Sequence, residues 1–217
     1  MMPAKNTKQV SHWAGEEGNA YVERNPHSAT EMNGLYLADC GVSRSEMNQD
    51  FLGSLPRDLS FLEVGANVGV QLQLLHDMGF SKLQGIDVNR RAVDEAKKLH
   101  PKVEVREASG FAIPFADSSF DVAYTSGVLI HISPTDIAGI LNEMHRVTKR
   151  YIWGFEYYAP EYTEVTYRGR QNLLWKTDFA GLFLEQFPGL RLIKEKKYPM
   201  QDGVNINQMY LLEKTNR

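Results

Sequence analysis

With 217 residues, 42% of them hydrophobic and 24% charged, the chain has the make-up of one globular domain with a sizeable apolar core. A net charge of −3 offers no cationic track for nucleic-acid phosphates, and a single cysteine, Cys40, excludes an intrachain disulfide and fits a reducing compartment. The opening MMPAKNTKQVSHWAGEEG has no apolar stretch of signal-peptide length, and no run approaches the roughly twenty apolar residues that cross a bilayer. The expectation is a cytoplasmic protein without membrane contact.

Taken in chain order, residues 11–25 predict a short helix with a turn. Residues 30–54 predict a helix, with Met32, Leu35, Leu37, Ala38, Met47 and Phe51 as its apolar positions. From there strands and helices alternate. Residues 60–64 form a short apolar run ending at glycine, and 70–78 have helical spacing up to Gly79. Residues 82–87 read as a strand, 90–99 as a helix ended by Pro101, and 103–107 and 120–125 as strands. A helix over 134–147, a strand over 151–157 and a helix over 177–187 follow. Two β-rich stretches, 190–198 and 206–213, close the chain with no helix between them. Such alternation implies a mainly parallel sheet with helices on both faces. The last two strands add an antiparallel terminal hairpin. One domain over 1–217 is expected, with 1–50 as a helical lid and 58–214 as a Rossmann-like core.

The segment FLEVGANVG carries the most chemistry. An apolar strand ends at Glu63, and a turn through Gly65, Ala66, Asn67 and Gly69 leads straight into a helix. In open α/β sheets ligands bind where strands end, and glycine lets backbone approach them closely. The G-x-N-x-G spacing differs from the dinucleotide pattern G-x-G-x-x-G, and a cofactor without a pyrophosphate needs only this shorter turn. About twenty residues on, GIDVN ends a strand at Asp87, followed by Val88. An acidic side chain there accepts hydrogen bonds from ribose hydroxyls; its other reading is an N-cap, a role also open to Asn89. Ala108 and Ser109 follow the strand VEVRE, where a nucleoside-binding fold presents backbone to the base. FDVAYTSGVLIHI ends a strand at Thr125 and runs through Ser126 and Gly127 to His131.

These segments resemble the class I S-adenosylmethionine (SAM)-dependent methyltransferases. HWAGEEGNAYVERN, LEVGANVG, GVLIHISP, EYYAPEYTEVTYRG, LLWKTDFAG and MYLLEK resemble, more narrowly, the pseudaminic acid biosynthesis-associated methyltransferases, from about Trp13 to Lys214. The resemblance implies a seven-stranded methyltransferase sheet and SAM as methyl donor. It implies cofactor contacts from Glu63, Gly65, Ala66, Asn67, Gly69, Asp87, Val88, Ala108, Ser109 and Thr125, with Trp13, Tyr21 and Arg24 in a lid over the cofactor or simply packed on the core. The acceptor is expected to be a small, polar, anionic molecule such as a sugar acid, its conjugate or a natural-product intermediate. It would take the methyl on O or N.

His131 is the candidate general base, since imidazole titrates near neutrality, or else a packing residue. Glu156, Tyr157, Tyr158 and Tyr167 are expected to face the acceptor, with Tyr158 also near the reacting atoms. Arg168 reads as a bidentate clamp on an acidic group, or as an ion-pair partner of Glu156 or Glu164. No histidine has a partner at metal-ligand spacing, so no metal is expected. A small-molecule acceptor is the expected partner, nucleic acid is not, and a homodimer stays open. Two other classes compete: an NAD-dependent oxidoreductase, and a methyltransferase-fold protein that binds without catalysis.

Overall fold

The computed structural model describes residues 7–215, so residues 1–6 of the expected lid and residues 216–217 lie outside the described part. Four helices open the chain: α1 (Lys8–Ala14), α2 (Glu16–Arg24), α3 (Ala29–Cys40) and α4 (Arg44–Leu52). Each break has a local cause. Thr7 caps α1 by accepting from Val10 N, and α2 packs so closely on α1 that a Cβ on Gly18 would lie 1.8 Å from the Trp13 carbonyl oxygen. The single helix expected over 30–54 is two. Gly41 takes a left-handed φ of 71° after α3, and a capping box between Ser43 and Glu46 starts α4 afresh.

The core then runs β1 (Ser60–Val64), α5 (Val70–Asp77), β2 (Lys82–Asp87), α6 (Arg90–Leu99), β3 (Glu104–Glu107), β4 (Phe120–Ser126), α7 (Ile137–Val147) and β5 (Thr148–Tyr157). Two short strands, β6 (Thr163–Glu164) and β7 (Trp175–Lys176), precede α8 (Phe179–Gln186), β8 (Leu190–Pro199) and β9 (Ile206–Lys214). Helix α8 starts later than the expected 177 because the Asp178 side chain caps it, accepting from Gly181 N. Helix α7 starts at Ile137 rather than 134, because residues 134–136 form a turn closed on the Ser133 carbonyl by Asp136 N and Ile137 N. The β6–β7 pair has no counterpart among the predicted elements; two-residue strands leave no periodicity to detect.

The main sheet has the order β3-β2-β1-β4-β5-β9-β8. Pairing is parallel from β3 through β5, and β9 runs antiparallel to both β5 and β8. This is the seven-stranded methyltransferase fold. The last strand therefore inserts between β5 and β8, leaving β8 at the edge. Its lysines Lys194, Lys196 and Lys197 suit an edge that must not pair with another chain. Alternation along β1 sends Leu62 and Val64 to one layer and Phe61 to the other. Helices α7 and α8 cover the first layer through Ile140, Met144, Phe179 and Phe183, and α4, α5 and α6 cover the second through Met47, Leu72 and Val93. Among the described residues no helix is long and apolar enough to cross a membrane.

The β5–β9 register pairs Gly154 with Tyr210. A Cβ at Gly154 would lie 2.1 Å from the Tyr210 ring carbon Cζ. Gly154→Ala is therefore expected to cost about 1–3 kcal/mol through overpacking, read by denaturant unfolding. Adding Tyr210→Leu should recover part of that loss; full wild-type stability of Gly154→Ala would show that the ring shifts freely.

Candidate active site

The glycine turn is built by its backbone. Gly65 (φ 78°), Asn67 (φ 47°) and Gly69 (φ 82°) all adopt left-handed conformations, which glycine tolerates and asparagine tolerates better than most residues. The N–H groups of Gly65 and Ala66 both donate to the Ile86 carbonyl, at 2.8 and 2.9 Å. One residue further, the Asp87 carboxylate accepts from Asn67 N and Asn89 N, both at 2.8 Å. Asn89, not Asp87, caps α6, accepting from Ala92 N at 2.9 Å. That frees Asp87 from the capping role. A carboxylate has about four acceptor positions, so not all are taken by the backbone. Burial raises its pKa, against the lowering effect of these backbone N–H groups.

A cavity opens over this turn. Its walls include Glu63, Gly65, Ala66 and Asn67 from the turn, and Asp87, Val88, Ala108 and Ser109 from the ends of β2 and β3. Trp13 and Tyr21 roof it, and His131 closes one side. The set has the chemistry an adenosyl cofactor requires: a carboxylate for the ribose, backbone and a small hydroxyl for the base, and aromatic faces that attract a sulfonium cation. Glu63 is buried and accepts from Tyr124 Oη at 3.0 Å; burial pushes its pKa up to about 8.

His131 sits at the end of the 3₁₀ turn. Its Nδ1 lies 2.7 Å from the Leu173 carbonyl, which can only accept, so Nδ1 carries the proton and Nε2 is the acceptor nitrogen. The ring packs 4.3 Å from Trp13 and 5.5 Å from Tyr167, centre to centre. Burial lowers its pKa to about 4, which keeps the imidazole neutral at physiological pH.

Other expected site residues are placed elsewhere. Gly69 faces Val103 and Val105, and Thr125 is buried while its neighbour Ser126 takes the wall position. Arg24 is exposed on the outer side of the roof, 5.2 Å above the Tyr21 ring. Glu156, expected to face the acceptor, is instead buried under the loop after β4, accepting from Val128 N and Ile130 N at 3.1 and 3.3 Å; burial raises its pKa to about 7. Tyr157 and Tyr158 lie against Lys176 and Lys197 and are outside the cavity wall. Tyr167 stays close by its packing on Trp13 and His131.

Arg168 is corrected most firmly. It and Gly169, with φ of 50° and 77°, form the two central residues of a tight turn in which Tyr167 and Arg170 exchange both backbone hydrogen bonds. The side chain is exposed and away from the cavity. The sequence reading missed Tyr36 and Gln71, which line the wall from α3 and α5. Neither belongs to a strand-end motif. The SGV stretch after β4 was the available signal for Ser126, Gly127 and Val128, all wall residues.

Residues 62–151, from β1 into β5, match the family model described as a methyltransferase domain. No curated protein matches the chain. Among solved structures, geranyl diphosphate C-methyltransferase from Streptomyces coelicolor A3(2) superposes with a TM-score of 0.72 at 12% identity, covering 98% of this chain and 100% of that one. The 1,6-didemethyltoxoflavin-N1-methyltransferase of Burkholderia thailandensis, solved with S-adenosylhomocysteine, gives 0.65 at 14% identity over 95% and 85%. The [4+2]-cyclase SpnF gives 0.63 at 15% over 89% and 86%. These likenesses are of fold.

Replacing Asp87 with alanine removes an acceptor from both the turn and the ribose. A hydrogen bond to a charged group contributes about 1.5–3 kcal/mol, so titration calorimetry should show S-adenosylhomocysteine binding at least about tenfold weaker. Wild-type affinity would remove Asp87 from the cofactor site.

The buried histidines contribute an acid-labile component to stability. Burial holds His131 and His145 at about 4, below the ordinary 6.5. Between those values the unfolded chain binds protons that the folded chain does not, so stability falls as pH drops from about 6.5 toward 4. Glu63 and Glu156, raised above 4.5, contribute the opposite slope. Comparing His131→Phe with wild type cancels them: the variant should lose less stability between pH 7 and 5, and an unchanged slope would contradict the lowered pKa.

The domain match over residues 62–151, the sheet order and the chemistry of the cavity converge on the class I methyltransferase fold, with a cavity whose lining suits SAM.

Proposed function

We propose that the protein transfers a methyl group from SAM to an O or N nucleophile of a small, polar, anionic acceptor in the cytoplasm, and that it belongs with the pseudaminic acid biosynthesis-associated group. The sugar-acid reading rests on the resemblance of the segments EYYAPEYTEVTYRG and LLWKTDFAG to that group, and the cavity under Trp13 and Tyr21 favours a small molecule over a polymer. The observation that carries the catalytic part is His131: a neutral imidazole on the cavity wall, its proton fixed on Nδ1 by the Leu173 carbonyl.

SAM supplies a methyl on a sulfonium, open to in-line displacement. The chain's own residues must hold the acceptor in line and exclude water. Positioning of this kind contributes roughly 7–11 kcal/mol in well-oriented cases. Trp13 and Tyr21 close the roof and keep water out. His131 Nε2, the nitrogen left without the proton, would take a proton from a hydroxyl or ammonium acceptor. With its pKa near 4 it is a weak base, but one that is available across the working range. A carboxylate or phosphonate nucleophile would need no base at all.

His131→Ala is therefore expected to lower kcat about 10²–10⁴-fold for a protonated acceptor, while S-adenosylhomocysteine affinity changes little. The wild-type rate should show no limb from His131 between pH 6 and 9. Radiolabelled-methyl turnover on the acceptor tests both, and an unchanged kcat in His131→Ala would return the ring to a packing role.

A further inference from the structure

Glu156, near the end of β5, is fully buried and absent from the cavity wall. Its carboxylate is committed to the backbone of the loop that follows β4. Oε1 accepts from Val128 N at 3.1 Å and Oε2 from Ile130 N at 3.3 Å, so each oxygen holds one N–H. The ladder between β4 and β5 closes with Gly127 N on the Phe155 carbonyl at 2.8 Å, and Gly127, at a φ of 69°, turns the chain away from the sheet. From that point the Glu156 side chain takes over the hold on the loop. A buried carboxylate is unfavourable unless hydrogen bonds satisfy it, and an apolar side chain would carry no such penalty. The site therefore keeps a carboxyl group for what its two oxygens do.

The loop so held carries two wall residues, Val128 and His131. Val128 sits on the glycine turn: its Cγ2 lies 2.5 Å from where a Cβ on Gly65 would stand, so it occupies the space a side chain there would need. Further along, His131 Nδ1 meets the Leu173 carbonyl at 2.7 Å. The loop is thus seated on the turn at one end and tied to the chain before β7 at the other, and Glu156 grips it between. Shape alone does not achieve this. Glutamine has the same length but one acceptor oxygen, so its NH₂ group would face one of the two N–H donors. Aspartate has both oxygens but is one methylene short.

We propose that Glu156 is a positioning residue for methyl transfer: by gripping Val128 N and Ile130 N it keeps Val128 on the glycine turn and the His131 ring on the Leu173 carbonyl, which fixes where Nε2 meets the acceptor. This rests on the reading of His131 as the base. Glu156 acts through that ring and touches neither cofactor nor acceptor, so its replacement is felt at His131 and not in cofactor affinity.

The test needs no acceptor, so the positioning role and the base reading of His131 can fail separately. The full chain, isotopically labelled at nitrogen, is saturated with S-adenosylhomocysteine and followed by NMR, the His131 ring being identified by its loss in His131→Phe. Wild type should show the pattern of a ring protonated at Nδ1. In Glu156→Gln that pattern should give way to a mixture of tautomers. The Val128 or Ile130 amide should then exchange with solvent at least about tenfold faster, the scale of one lost hydrogen bond to a charged group. S-adenosylhomocysteine affinity by calorimetry should stay within about threefold. Glu156→Asp should give the same change in smaller degree, and it carries the test if the glutamine variant does not fold. Leu75→Ala opens a cavity under α5 in the other layer of the core; it should lower Tm and keep the wild-type ring pattern. Wild-type ring and loop signals in both Glu156 variants overturn the assignment. The same loss of pattern in Leu75→Ala overturns it too, since the ring would then report stability alone. A loss of S-adenosylhomocysteine affinity beyond about tenfold with the ring unmoved would overturn it by giving Glu156 to the cofactor side.

Discussion

The Asp87 carboxylate ties two chain segments together at the point where the cofactor cavity opens. By accepting from Asn67 N and Asn89 N, it joins the turn after β1 to the junction between β2 and α6. The Ile86 carbonyl, receiving Gly65 N and Ala66 N, makes the same connection one residue earlier. Left-handed backbone is unfavourable in isolation for a residue with a side chain such as Asn67, and these cross-links hold it. The start of α5, the start of α6 and the cavity floor all follow from this junction. A carboxylate so placed both builds the turn and presents its remaining lone pairs to a ligand, so one residue serves fold and recognition together.

The opposite wall depends on Glu156. Its carboxylate gathers Val128 N and Ile130 N and so holds the loop that carries His131. The Leu173 carbonyl, just before β7, then sets the imidazole tautomer. Trp13 packs on that ring at a tilt, and α1 and α2 are fastened to the same region by Gln9 Nε2 to the Asn172 carbonyl and by the Arg170–Glu17 ion pair. The roof, the β6–β7 hairpin and the β4 loop thus form one connected support around His131. An exposed ion pair adds little to stability, but it orients the hairpin relative to α2.

Charge inside the fold is unevenly compensated. Glu63 and Glu156 are driven toward their neutral forms by burial, whereas Arg44 keeps its charge amid aromatic rings. Facing ring π-systems soften the cost of burying a guanidinium without replacing a counter-ion. Arg44 Nη1 is one of several buried polar atoms without a partner among the described residues, whereas Asn89 and Asp121 find partners at ordinary distances.

The sequence by itself determined the order of the elements, the strand-end turn at Gly65, the acidic residue at Asp87 and the terminal strand pair. All of these rest on contacts between near neighbours: apolar period, glycine conformation and capping are written within a few residues. The break at Gly41 was equally local and was available in the G-x-S-x-x-E pattern. What only the tertiary structure decided is which side chains share the cavity. EYYAPEYTEVTYRG looks like an acceptor wall when read along the chain, yet β5 turns Glu156 under a loop, and the Tyr167–Arg170 turn sends Arg168 to solvent. Arg44, without any motif around it, arrives beside the cavity because α4 packs on the face of the sheet formed by Trp153 and Phe155. Residues far apart in the chain meet through register and helix packing, and a one-residue change in strand register reverses which face a side chain joins. Local spacing therefore specifies the scaffold, while the placement of Arg44, Tyr36 and Gln71 emerges only when the layers close.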